Sequence, residues 1–104
     1  MDLKRIGRAD DVALMTFTEF GRRVKENASA GTDHGVASPM FVVGSHVKGG
    51  FYSKHPSLTD LDEGDLKMTT DFRSVYATAM KEWMGLDDTR SVLKGDFPTL
   101  GAFA

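Results

Sequence analysis

The sequence predicts an α/β fold, and three stretches carry that reading. "VALMTFT" (Val12–Thr18) and "MFVVG" (Met40–Gly44) are nearly continuous apolar runs. Strict alternation is absent from both, the pattern of strands covered on two faces, as in the middle of a parallel sheet. The third stretch runs from about Asp71 to Met84. Phe72, Val75, Tyr76, Ala79, Met80, Trp83 and Met84 recur there every three and four residues, which lays a broad apolar stripe along one long amphipathic helix.

Taken in order, "MDLKRIG" reads as the end of a helix, with Leu3 and Ile6 on one face and Gly7 as its stop. The first strand follows, and "EFGRRVKEN" leaves it with three basic residues. Ala28–Pro39 is small, polar and glycine-rich, the composition of a loop. After the second strand, "HVKGGFYS" is expected to turn at Gly49-Gly50 into an edge strand. "HPSLTDLDEGDLK" is expected to be an irregular acidic segment. Thr69 or Thr70 suits the helix cap, Asp71 the positive end of its dipole, and Gly85 a left-handed stop. "GDFPTLGAFA" then reads as an extended stretch that packs Phe97, Leu100 and Phe103 onto the body. Two or three strands make a thin sheet, and a two-sided strand needs more cover than one helix gives. The chain is therefore expected to be a single partial domain spanning residues 1–104.

Composition narrows the function classes. At 104 residues, 40% hydrophobic and 27% charged, the chain is neither disordered nor membrane-like. No apolar run has the length needed to cross a bilayer. Thirteen basic and fifteen acidic side chains give a net charge of −2, against the basic excess of a nucleic-acid binder. The absence of cysteine removes thiolate zinc sites, disulfides and cysteine nucleophiles together. The first residues lack the apolar core of an export signal.

The residues that offer chemistry cluster in the first half. In "SAGTDHGVASP", Asp33 and His34 stand side by side between Gly31 and Gly35. Carboxylate oxygen and imidazole nitrogen both bind divalent ions. Neighbouring residues of a regular strand point apart, so both would reach one ion only from an irregular loop. The alternative is a turn in which Asp33 bonds backbone amides and His34 packs. Glu19, leaving the first strand, suits a metal ligand or general base, or an ion pair with Arg22 or Arg23. Arg22 and Arg23 have the guanidinium fork that clamps phosphate or sulfate oxygens, although a basic pair in this position is also at home in solvent. His46 and His55 are lone loop histidines and weaker ligand candidates. "DLDEGD" lacks the glycine offset and closing glutamate of a calcium-binding hand. Ser29, Ser38 and Ser45 have no nucleophile-elbow context, and no phosphate-cradling glycine loop is present.

Several motifs in order carry a family resemblance. "VALMTFTEFGRRVKEN", "GTDHG", "MFVVGSHVKGG" and "PSLTDLDEGDLKMTTDFRSVYATAMKEWMGL" resemble the C-terminal part of domain-of-unknown-function family 1501. That family is sulfatase-like and is placed in the alkaline phosphatase superfamily. The resemblance runs from about Asp11 to Phe103. It implies the C-terminal part of an alkaline-phosphatase- or sulfatase-like α/β sandwich with a metal site at its strand ends. Asp33 and His34 match the Asp-His pair that binds one active-site metal, zinc or calcium. Such an ion activates a nucleophile or stabilises charge on a phosphoryl or sulfuryl oxygen. Glu19 and Arg22 match the family's "EFGR" segment and are the candidate catalytic residues.

The resemblance further implies a nucleophile and further ligands N-terminal to this chain, and export by the twin-arginine route. The chain is thus expected to be a C-terminal fragment of a metal-dependent hydrolase, inactive alone and partnered by the missing N-terminal part of its own domain. Its ligand would be a sulfate- or phosphate-ester small molecule or polysaccharide. The alternative is a non-catalytic binding or structural module of the same fold.

Overall fold

A computed structural model of the chain describes residues 2–104. It contains β1 (Ala13–Met15), β2 (Gly21–Glu26), β3 (Thr32–Gly35), β4 (Val42–Gly44), β5 (Leu61–Asp62), β6 (Asp65–Leu66), α1 (Phe72–Thr78) and α2 (Arg90–Leu93). The strands form three two-stranded sheets, β1–β4, β2–β3 and β5–β6, the last two antiparallel. The fold is thus mixed helix and strand. No strand among the described residues has two neighbours in a sheet, so the expected buried central strand is not formed. Only three residues of "VALMTFT" are strand, and Leu14, Phe17, Phe41 and Val43 are exposed.

The chain divides into two compact units, residues 1–14, 42–52 and 70–104 in one and residues 15–41 and 53–69 in the other. In the first, residues 3–7 of the expected helix end form turns. Arg8 N–H donates to Leu3 O at 2.9 Å, and Gly7 reverses the chain at φ +73°. Met1 lies outside the described residues.

The helix appears where the apolar stripe predicts it, with two differences. Its cap is Asp71 rather than a threonine: the carboxylate accepts from Arg73 N–H at 2.9 Å and also holds the Arg73 guanidinium. After Thr78 the helix widens into a π-helical turn, Ala79–Trp83, ending where Met84 N–H donates to Ala79 O. Gly85 then takes the left-handed φ of +73°, the ordinary C-terminal stop. The most buried face is the small-residue row Ser74, Ala77 and Thr78, while Phe72 and Met84 at the ends of the stripe are exposed.

The extended stretch packs as expected. Ala102 and Phe103 are buried, with Phe103 beside Trp83 at 6.4 Å between ring centres. Burying a side chain of that size contributes about 2 kcal/mol. Val47 pairs with Phe103 in an isolated bridge, so "HVKGGFYS" meets this stretch instead of forming a strand of its own. Phe97 lies under the Arg73 guanidinium, 4.4 Å from the ring centre.

The second unit is built from two hairpins. The segment expected as an acidic loop is β5–β6, closed by Glu63 and Gly64 at φ 49° and 85°. Positive φ at both turn residues matches the right-handed twist of the strands. Its Asp65 carboxylate accepts from Val36 N–H through both oxygens, at 3.3 and 3.2 Å. The Arg23 guanidinium donates to Glu63 O. These bonds tie the small hairpin to β2–β3.

Candidate functional site

Asp33 and His34 lie in β3, not in a loop. β2 and β3 form an antiparallel hairpin in which Gly21 faces Gly35, Arg22 faces His34 and Glu26 faces Thr32, with an irregularity between Arg22 and Glu26. The sequence reads as a loop here because Gly31 and Gly35 flank the pair. Gly35 serves instead for close packing: a Cβ there would sit 2.6 Å from Asp65 Oδ1 and 3.0 Å from Arg22 C. At Gly21 a Cβ would overlap Ala37 O at 1.6 Å.

The strand geometry separates the two candidate ligands, because successive side chains leave a strand on opposite faces. His34 shares its face with Arg22. Its imidazole stacks on Phe20, with ring centres 3.6 Å apart and planes 9° apart. The Arg22 guanidinium lies 5.3 Å from the centre of the same Phe20 ring, and Arg22 Nη1 donates to Thr32 O at 2.8 Å. Phe20 is held by the local bend, where the Thr18 hydroxyl donates to Phe20 O at 3.0 Å. Glu19 stands exposed in that bend.

Asp33 lies on the other face, in a cleft of about 210 Å³ lined by Arg23, Lys25, Glu26, Asp33, Glu63 and Gly64. Asn27 Nδ2 donates to Asp33 Oδ1 at 3.0 Å. The Oδ1 of Asn27 accepts from Ser29 N–H and Gly31 N–H, both at 3.0 Å. The turn that closes the hairpin is therefore built on Asn27, and Asp33 braces it. Arg23 Nε is buried on this face without a hydrogen-bond partner.

Asp33 and His34 diverge, and among the described residues no group of three or more histidines and carboxylates is placed to hold an ion. His46 sits 3.8 Å from Asp10 Oδ1, and His55 Nδ1 bonds Pro56 O at 2.7 Å. Ser45 Oγ donates to Asp10 Oδ1 at 2.6 Å.

Two residues of the site are missed by sequence reasoning. Asn27, four residues before Gly31, has a legible signal, since asparagine commonly organises such turns through its own side chain. Phe20 has none, because only the fold places it under His34.

Chemically, the hairpin brings a guanidinium and an imidazole to one aromatic ring, that of Phe20. The described residues thus form a mixed α and β fold whose β2–β3 hairpin gathers Phe20, Arg22 and His34. The chain belongs to the family described as "Protein of unknown function (DUF1501)", whose pattern it matches over residues 1–96. No curated protein and no solved structure gives a match. No helix among the described residues is long and apolar enough to cross a membrane.

Proposed function

We propose that the β2–β3 hairpin binds the sulfate or phosphate group of an ester ligand, as part of a sulfatase- or phosphatase-like protein. The observation that carries this reading is the cross-strand pair of Arg22 and His34. Arg22 offers a planar set of donors to two oxygens, and His34 adds a third donor and, when protonated, a second charge. Phe20 keeps the imidazole in place beneath any bound group. The sulfate- or phosphate-ester class also agrees with the family resemblance.

A second reading is metal-dependent hydrolysis, with Asp33 and His34 as ligands and Glu19 and Arg22 at the reacting ester. What favours it is the Asp-His motif itself. It requires β3 to twist until both side chains turn to one side, releasing Asp33 from Asn27. A divalent ion held there would supply Lewis-acid stabilisation of the ester oxygens, with Arg22 orienting the group.

The two readings separate in one set of measurements. Titration with inorganic sulfate and phosphate, followed through the His34 ring signals, tests the anion site. Arg22→Ala should weaken binding about tenfold, the loss of a charged hydrogen bond. No response of His34 to either anion would overturn the proposal. Elemental analysis of the protein and of Asp33→Ala tests the metal: bound zinc or calcium that disappears in the variant supports hydrolysis, and unchanged metal content removes Asp33 as a ligand.

A further inference from the structure

Residues Leu100–Ala104 are held by the first unit in an uneven way. Along one edge the grip is backbone to backbone: Lys48 N–H donates to Ala102 O at 2.7 Å, and Ala104 N–H donates to His46 O at 2.8 Å. Along the other edge it is made by side chains of the helix. Thr78 Oγ1 accepts from Leu100 N–H at 2.9 Å. Glu82 takes the other two amides, Gly101 N–H on Oε2 at 2.8 Å and Phe103 N–H on Oε1 at 3.0 Å.

One carboxylate therefore holds two alternate amides of an extended segment. Thr78 and Glu82 are four residues apart, and the π-helical turn Ala79–Trp83 sets where Glu82 leaves the helix. The segment "LGAFA" contributes no charged side chain of its own. Its pivot is Gly101 at φ +69°, a backbone state that glycine enters and leaves without steric cost. Ala104 forms part of the wall of a cleft of about 420 Å³, shared with Asp10, Asp11, His46, Glu82 and Trp83.

We propose that Leu100–Ala104 is a latch, held shut by Glu82, whose release opens this cleft and uncovers Trp83 while the helix stays folded. Glu82 controls the latch because it supplies two of the three side-chain bonds on that edge. The neighbouring Trp83 loses its contact with Phe103 when the latch opens. This device is independent of the hairpin site and of the function assigned to it.

Amide hydrogen exchange, read residue by residue, tests it, together with acrylamide quenching of Trp83, the sole tryptophan. In the wild-type chain the amides of Gly101 and Phe103 should exchange through an opening insensitive to dilute denaturant, the mark of local release. Glu82→Gln should raise exchange at Gly101 and Phe103 about tenfold and increase Trp83 quenching, with the amides of Ala77 and Thr78 unchanged. Exchange at Gly101 and Phe103 that rises in step with Ala77 and Thr78 would overturn the latch, as would no change in Glu82→Gln. Should that variant fail to fold, the wild-type denaturant series decides alone: exchange at Gly101 and Phe103 with the slope of global unfolding sinks the proposal.

Discussion

The imidazole of His34 lies flat against the ring of Phe20, with 3.6 Å between ring centres. That contact commits His34 to the face it shares with Arg22 and turns it away from Asp33. Phe20→Ala should return the His34 ring proton signals downfield in an NMR spectrum, because the ring current acting on them is lost. It should also cost about 1 kcal/mol in urea unfolding, the contribution of such an aromatic pair beyond its burial.

The Asn27 side chain braces the turn between β2 and β3 through three hydrogen bonds, to Ser29, Gly31 and Asp33. Asn27→Ala leaves the two amides and the Asp33 carboxylate to water. A loss of about 1 kcal/mol is expected, since each such bond is exposed and worth little net. A denaturant midpoint lowered at unchanged slope is the measurement.

Gly21 is packed against the Ala37 backbone, and Gly35 against the Asp65 side chain and the Arg22 backbone, rather than chosen for a turn. Gly21→Ala would drive its Cβ into Ala37 O, and Gly35→Ala would push on Asp65 and Arg22. Gly21→Ala is expected to be the worse of the two, because Ala37 O belongs to rigid backbone while the Asp65 side chain can yield. Overpacking of this kind costs about 1–3 kcal/mol. Thermal unfolding of the two variants gives the order directly.

Stability should fall in acid. Burial works against the charge on Glu82, but the amides of Phe103 and Gly101, the Thr99 hydroxyl and Lys48 outweigh it and hold the carboxyl below its ordinary 4.5. Asp71 is held below its ordinary 3.8 by the Arg73 side chain and then by the Arg73 amide. Both groups have lower values folded than unfolded, so their contribution is complete above the ordinary values. It is lost as pH falls through the lowered ones. Urea midpoints between pH 7 and pH 3 should stay level and then drop, and Glu82→Gln should flatten part of the drop.

Asp71→Ala tests the cap itself. Removing a helix-capping carboxylate costs about 1 kcal/mol, and the far-ultraviolet helix signal should weaken at the same time. Asp71→Asn should retain most of the stability, because its amide oxygen can still accept from Arg73 N–H.

How much of this was legible depended on the range of the forces involved. The helix over Phe72–Trp83 could be read from the recurrence of Phe72, Val75, Tyr76, Ala79 and Met80, and its stop from Gly85, because both are set within a few residues. The cap fell just past the expected Thr69 or Thr70, since Asp71 draws on Arg73 as well as on the backbone. The "EG" at 63–64 marked a hairpin turn that an acidic composition concealed. For β3 the flanking glycines spoke for a loop, yet Gly35 is there to admit Asp65 and Arg22, a reason visible only once β2 and β6 are in place.

By itself the sequence determined the family, the absence of thiol chemistry, the near-neutral charge and the one amphipathic helix, all properties of composition or short-range order. Tertiary structure decided which neighbours Asp33 and His34 meet. Adjacent in the chain, they leave β3 on opposite faces, and pairing with β2 gives His34 to Arg22 and Phe20 and gives Asp33 to Asn27. A strand sends neighbours apart, and only the ladder it joins settles which partners each one meets.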